Sequence, residues 1–330
     1  MGVKNWKNLV SWQMVGTDEI SPPCVAIDVS NYMIRRMAVV PKHRSANKER
    51  VPLTHITLTL GVIRAALRRN ILPVFVVDGP PESLKRAPQP DLVYKAVRLY
   101  RRFSDSEDPW DSSVALALSE SPALRTYFAA EHIKDLCSAV GIPAIGAPSE
   151  AEMMCAVLCR EGIVGTVASN DADALLFGSP HVSRRLELSK GQVERARLVD
   201  MEEATGLDLD QLRDLAILCG CDFHPGLKGV GPRKGVILLQ RYGSLVPVLR
   251  ARGVSVSERE SFVRAREVFD EPSHISVSGI EVLIRSPVLP RVVRMLTPVM
   301  GRKKAEIRTS DIVRLWKDFG KEQTTMEQWT

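Results

Sequence analysis

The sequence has no run of about eighteen or more apolar residues, so no segment reads as a transmembrane helix. Its opening stretch, MGVKNWKNLVSW, lacks the apolar core of a secretory signal, which predicts a protein that stays inside the cell. The six cysteines (Cys24, Cys137, Cys155, Cys159, Cys219, Cys221) lack the spacing of a disulfide-stapled secreted domain. Neither Cys155-x3-Cys159 nor Cys219-x-Cys221 has a histidine at zinc-finger distance, so reduced, mostly buried thiols are predicted. There is no internal repeat, no low-complexity tract and no GxxxxGK[ST] phosphate loop. No histidine, serine or cysteine stands out as a nucleophile, and His224, close to Asp222, reads as a hydrogen-bonded structural residue.

What remains is an ordinary soluble composition, 45% hydrophobic and 25% charged over 330 residues, enough for one large α/β domain or two small ones. The net charge of +6 and pI of about 9.0 fit a polyanionic partner without requiring one.

Three segments are continuously apolar, as strands buried on both faces are: CVAID (24–28), LPVFVVD (72–78) and GTVASND (165–171). Helical patterns separate them, including THITLTLGVIRAALRRN, so the expected fold is α/β with a mostly parallel central sheet and helices on both faces. Each strand ends at an aspartate. The carboxyl ends of parallel strands line the ligand crevice, so Asp28, Asp78 and Asp171 are predicted to meet there.

GAPSEAEMMCAVLCREG adds Glu150 and Glu152 near the same rim. Ser149 and Glu152 have capping-box spacing, with Ala151, Met154, Cys155 and Leu158 as the apolar stripe behind. The 72 positions from Asp78 to Glu150 exceed one crossover helix, which predicts a helical insertion over the rim with a flexible middle at SDSEDPWDSS. Within it Lys95, Arg98 and Arg102 share a helical face, either a solvated basic face or a phosphate contact. Farther on, Asp222 precedes KGVGPRKG (228–235), where Gly229 and Gly231 would let backbone amides approach a phosphate at a helix N-terminus, beside Arg233 and Lys234.

If Asp28, Asp78, Glu150, Glu152, Asp171, Asp173 and Asp222 converge, they cannot all stay ionised without cations, because like charges raise one another's pKa. Hard oxygen donors in that number suit two Mg²⁺ or Mn²⁺ ions, which can clamp an in-line phosphoryl displacement. That accounts for Asp171 and Asp173 closing a buried strand one residue apart.

These pieces also carry a resemblance. AIDVS, FVVDGPPESLK, GIPAIGAPSEAE, SNDADALLFGSP and LCGCDFHPGLKGVGPRKG, in this order over about residues 24 to 245, resemble the flap endonucleases of the structure-specific 5′-nuclease superfamily, the archaeal kind most. The resemblance implies that the seven acidic residues bind two divalent metals, and that the insertion (about 82–130) is a helical arch passing a 5′ single strand. It implies a catalytic role for Lys85, with Arg98 or Lys95 standing in for a second basic residue where this chain has Leu92. It implies a helix–two-turn–helix over about 215–250 that holds duplex DNA, with K⁺ at carbonyls near Gly226, Leu227 and Val230. Ile34 stands where the family has a base-stacking tyrosine, with Tyr32 two positions early, and Gly2 matches the family's N-terminal glycine. QTTMEQWT resembles a sliding-clamp motif through Gln323, Met326 and Trp329, although Thr330 replaces its last aromatic.

The expected organisation is a nuclease domain over 1–320 and a clamp-binding tail over 321–330, working as an intracellular monomer of archaeal type, in cytoplasm or nucleoid, with no membrane partner. The expected activity is metal-dependent 5′ flap endonuclease and 5′ exonuclease hydrolysis of DNA in replication and repair. Three alternatives stand beside it. One is a mainly exonucleolytic relative; another is a non-catalytic, clamp-tethered junction binder, which would gain nothing from seven carboxylates facing phosphates. The third is an aspartyl-phosphate phosphatase using Asp171-x-Asp173, which leaves Glu150, Glu152 and Asp222 unexplained.

Overall fold

The apolar runs that end at aspartate fold side by side. A computed structural model describes residues 6, 9–34, 50–79, 90–106, 108–280 and 282–326. Its strands are β1 (Gln13–Gly16), β2 (Cys24–Asp28), β3 (Leu72–Val77), β4 (Ala144–Gly146), β5 (Thr166–Ala168), β6 (His181–Glu187) and β7 (Gln192–Arg197). They make one sheet in the order β1-β7-β6-β5-β2-β3-β4. β2 pairs parallel with β3 and β5, with Asp28 opposite Val76 and Ile27 opposite Ala168. The remaining parallel pairs are β3–β4 and β5–β6, and only β6–β7 and β1–β7 are antiparallel. The sheet is mostly parallel, as expected. Its third predicted strand is shorter than 165–171. After Ser169, whose N–H still reaches the Ser183 carbonyl at 3.2 Å, Asn170 bonds to Asn31 and the chain leaves the sheet.

The sheet is covered on both faces because its central strands are apolar on both. Ala26, Val74, Val76 and Val167 pack against α5 (Ala151–Arg160), in one buried cluster that extends to α8 (Leu209–Cys219). Val25, Ile27, Phe75 and Val77 pack against α1 (Thr54–Leu67) and α4 (Pro122–Val140), over which α12 (Leu289–Met300) and α13 (Arg302–Met326) extend the same buried cluster. Full burial contributes about 1.5–3 kcal/mol for each large apolar side chain. No helix among the described residues is long and apolar enough to cross a membrane. The six cysteines are unpaired, and four are buried.

Helix α2 (Pro90–Ser106) and the short α3 (Ser112–Glu120) pack on α4 through a separate cluster that includes Ala96, Tyr100, Phe103, Leu118 and Phe128. Of the acidic stretch predicted as a flexible middle (104–113), the first three residues end α2, Glu107 lies outside the described residues, and 108–111 form a hydrogen-bonded turn before α3. Asp108 accepts from the Trp110 N–H at 2.9 Å, and Asp111 caps α3 by accepting from the N–H groups of Ser113 and Val114.

The same cluster encloses two histidines that no sequence pattern connects. His55 Nε2 and His132 Nδ1 share a hydrogen bond of 2.9 Å, with His132 against Tyr100, Phe103 and Phe128. Burial pushes His55 down to about 3 and His132 well below the ordinary histidine range. Unfolding therefore takes up protons below the ordinary pKa of about 6.5, so this pair's stabilisation is complete above that pH and is lost as pH falls towards 3. Acidification from pH 7.5 to 5.0 is expected to cost about 2 kcal/mol through His55 alone. Thermal melting of the wild type and of the double variant His55→Leu/His132→Leu checks this. The variant should lose less stability over that interval, and equal losses would show that the pair does not set the acid sensitivity.

Candidate active site

The three strand-end aspartates lie on neighbouring strands, and each is held by a different polar partner. Asp28 closes β2 and is buried; its Oδ1 accepts the N–H of Asn31 at 2.9 Å. Asp78, just past β3, accepts the N–H of Ala151 at 2.8 Å on Oδ1 and the hydroxyl of Ser30 on Oδ2. Asp171, in the turn after β5, accepts from the side-chain amide of Asn31 at 3.1 Å. Ser30 and Asn31 belong to one π-helical turn, Val29–Ile34, that leaves β2.

The contact from Ala151 changes one expectation. Glu150, not Ser149, is the N-cap of α5, and no side chain of the helix caps it. The Ser149 hydroxyl points to the Met153 sulfur at 3.7 Å, and Glu152 receives the Ser169 hydroxyl at 3.5 Å, so the predicted Ser149/Glu152 capping box does not form. Asp78, from the neighbouring strand, takes the cap's place, where a carboxylate also gains from the positive end of the helix. The helix is buried over Ala151 and Met153–Cys159 rather than along one stripe, because it crosses the sheet beneath other helices.

Glu150, Glu152, Asp173 and Asp222 line one small cavity together with Cys221, Phe177, Phe223 and Phe269. Asp173 opens a short helix (Asp173–Leu176), and Asp222 sits in a turn closed by paired backbone bonds between Cys221 and His224. The two aspartates of the DxD pair thus divide their work. Asp171 turns to the β2 side through Asn31, and Asp173 turns to the cavity. Charge joins the two halves: burial first, then Asp78 and Glu150, push the Asp28 carboxyl up to about 7, against the lowering pull of the Asn31 and Ser30 backbone N–H groups. All seven predicted carboxylates are therefore present around one rim.

As the side chains stand, no group of three or more His, Cys, Asp or Glu among the described residues closes on a metal position. Mg²⁺ does not ask for such a cage, since it keeps several waters and takes one or two carboxylates directly. The donor set is hard oxygen, and a carboxyl raised by burial and by its like-charged neighbours is stabilised in its ionised form by a cation. The residues fit the group.

On α2, Lys95 and Arg98 are exposed, opposite the buried Ala96, Tyr100 and Phe103. Arg102, on the same face, is committed to Asp111 at 2.8 Å. Lys85 lies outside the described residues, as do Gly2 and Trp329; Gln323 and Met326 fall in the last turns of α13. Helix α8, turns at Asp222–Phe223 and Lys228–Gly229, and α9 (Pro232–Tyr242) follow one another as helix, two turns and helix. Val230 buries its side chain beneath the second turn, Arg233 and Lys234 are exposed, and Lys234 Nζ donates to the Gly229 carbonyl at 3.3 Å. An added Cβ would meet nothing within 4 Å at Gly229 or Gly231. Sequence reasoning missed Ser30 and Asn31; their only local signal is polarity within six residues after a strand-end aspartate.

The XPG I-region model matches residues 141–222, the stretch from the end of α4 to Asp222. Flap endonuclease 1 of the archaeon Haloarcula marismortui is 31% identical over 282 residues, covering 83% of this chain and 84% of its own. Flap endonuclease 1 of Ostreococcus tauri is 30% identical over 272 residues, covering 80% and 70%. The structure of flap endonuclease-1 from Methanococcus jannaschii shares the fold at a TM-score of 0.69 and 23% identity, over 96% of this chain and 99% of that one. The catalytic core of Rad2 in complex with DNA substrate shares it at 0.63 and 21%, over 94% and 99%.

Proposed function

The chain belongs to the flap endonuclease family of structure-specific nucleases, and we propose that it cuts 5′ flaps near single-strand/double-strand DNA junctions, with 5′ exonuclease activity, using divalent metal ions. The observation that carries this reading is the rim of carboxylates that shares Asp222 with the first turn of the helix, two turns and helix over 209–242. Asp28, Asp78 and Asp171 on the strand ends, with Glu150, Glu152, Asp173 and Asp222 on the cavity side, would hold two Mg²⁺ ions, with Mn²⁺ able to substitute. Bound there, the ions supply a nucleophilic water at neutral pH and neutralise charge on the leaving oxygen.

The chain's own residues do the positioning. Seven carboxylates repel phosphate, so cations and basic side chains have to bring it in. Arg98, exposed on α2, and Lys85 are the proposed phosphate contacts at the cut. Gly229 and Gly231, with Arg233 and Lys234, are the proposed duplex contacts, with K⁺ at the carbonyls of the same turn. Such contacts read backbone shape, so specificity is for structure rather than sequence. Gln323, Met326 and Trp329 are the proposed clamp-binding tail of an intracellular protein that works as a monomer.

A 5′-labelled flap on a nicked duplex tests the reading, with Mg²⁺ and then with EDTA. Mg²⁺-dependent cutting near the junction is expected. Tight binding without cutting under any divalent ion would leave a junction binder. Gly231→Ala tests the duplex contact separately. The position has φ of −108° and open space, so stability should change by no more than about 0.5 kcal/mol. Its methyl group occupies the space a phosphate would take, so duplex affinity in Ca²⁺ should fall about tenfold, or about 1.4 kcal/mol. Unchanged affinity would remove Gly231 from the interface.

A further inference from the structure

One residue joins the two strand-end aspartates that lie farthest apart in the sequence, through its backbone N–H on one side and its side chain on the other. Asn31 makes four hydrogen bonds, to two site carboxylates and to Asn170. Its backbone N–H donates to Asp28 Oδ1 at 2.9 Å, and its side-chain Nδ2 donates to Asp171 Oδ2 at 3.1 Å. Its side-chain Oδ1 accepts the backbone N–H of Asn170 at 3.0 Å, and its carbonyl accepts the Asn170 side-chain amide at 2.6 Å. A backbone N–H can only donate, so the oxygen of the Asn31 amide must face Asn170 and its NH₂ must face Asp171. The orientation of the amide is fixed by its neighbours.

Asp28 ends β2 and Asp171 lies just past its parallel partner β5, and two ionised carboxylates brought to one cation site repel each other. A carboxylate on a turn can relieve that repulsion by changing rotamer, which would alter the spacing a cation meets. A neutral amide donor opposes the movement and leaves lone pairs on each oxygen for a cation or its water. A lysine or arginine in the same place would compete with the cation for the carboxylate. We propose that Asn31 is a positioning residue, which holds Asp28 and Asp171 at the separation that takes a divalent cation. This rests on the metal-dependent reading above. Partners that orient ligands in this way typically contribute 10- to 100-fold in metal affinity or activity.

The test is Mn²⁺ binding without DNA, read as free Mn²⁺ by electron paramagnetic resonance, for wild type and Asn31→Ala. Melting in EDTA and cleavage as a function of Mn²⁺ are measured beside it. The variant is expected to bind Mn²⁺ about 10- to 100-fold more weakly. Its cleavage should need correspondingly more Mn²⁺ and recover most of its rate at saturation. Should alanine prevent folding, Asn31→Ser replaces it, with a hydroxyl too short to bridge from Asn170 to Asp171. A folded variant with wild-type Mn²⁺ affinity overturns the inference and leaves Asn31 as a strut between two turns, even if its melting temperature falls. A wild type that binds no Mn²⁺ overturns the metal-dependent reading itself, and this inference with it.

Discussion

Asp171→Asn is expected to slow Mg²⁺-dependent flap cleavage by about a hundred- to a thousandfold while leaving the metal-free melting temperature unchanged or higher. The two effects separate because the substitution removes charge and keeps shape. An asparagine oxygen at this position can still accept from Asn31 Nδ2, now 3.1 Å from Asp171 Oδ2, so the contact between the β2 and β5 turns survives. What disappears is one carboxylate charge from a rim where burial, Asp78 and Glu150 already push Asp28 up to about 7, and losing a like charge does not add repulsion in the metal-free protein. The same charge is needed once cations and a developing phosphate dianion share the site. Removing one group aimed at transition-state charge typically costs about 3–4 kcal/mol. Single-turnover cleavage in Mg²⁺ with melting in EDTA reads both effects. A variant that cuts within tenfold of wild type would take Asp171 out of the metal site. A variant that melts much lower would mean that the carboxylate's main work is structural.

How much of this site could be read from the chain depends on whether a residue acts within its own segment or across segments. Asp28 and Asp78 were legible because a continuous apolar run builds a buried strand, and a carboxylate that stops it has to emerge at the strand's end, where both are found. The β6–β7 hairpin was not legible. It lies between β5 and the edge strand β1 and carries Arg184, Arg185, Glu194, Arg195 and Arg197, so it has neither an apolar run nor clean alternation. The Ser149/Glu152 spacing was a true local pattern overridden by Asp78, 73 residues away, which reaches the Ala151 N–H first. Asn31 and the His55–His132 pair fall in the same class. Their partners stand 140 and 77 positions away, and only strand and helix pairing brings them together.

Gly226→Ala is expected to cost more than about 3 kcal/mol of stability and to abolish measurable junction binding, whereas Gly229→Ala, three residues on, should cost about 1–2 kcal/mol. Both glycines hold positive φ, +89° and +76°, so an alanine pays the left-handed backbone penalty of about 1–2 kcal/mol at either position. Space distinguishes them. A Cβ on Gly226 would lie 2.6 Å from the Gly220 nitrogen, 2.7 Å from the Cys219 carbonyl carbon and 2.8 Å from its oxygen, all backbone atoms at the end of α8. No rotamer change relieves that contact, so the turn has to move as a body. The segment it closes, Gly220 to Gly226, contains Asp222, and it is held further by the Leu227 N–H to the Leu218 carbonyl at 2.8 Å. Displacement therefore reaches a carboxylate on one side and the proposed phosphate turn on the other. Gly229 has open space around its Cα, so its alanine meets only the backbone penalty. Urea unfolding and junction affinity in Ca²⁺ measure both variants. Equal costs at the two positions would mean that α8 and the turn already yield to each other. Asp222 would then be placed by its own short Cys221–His224 turn rather than by the close approach of Gly220 and Gly226.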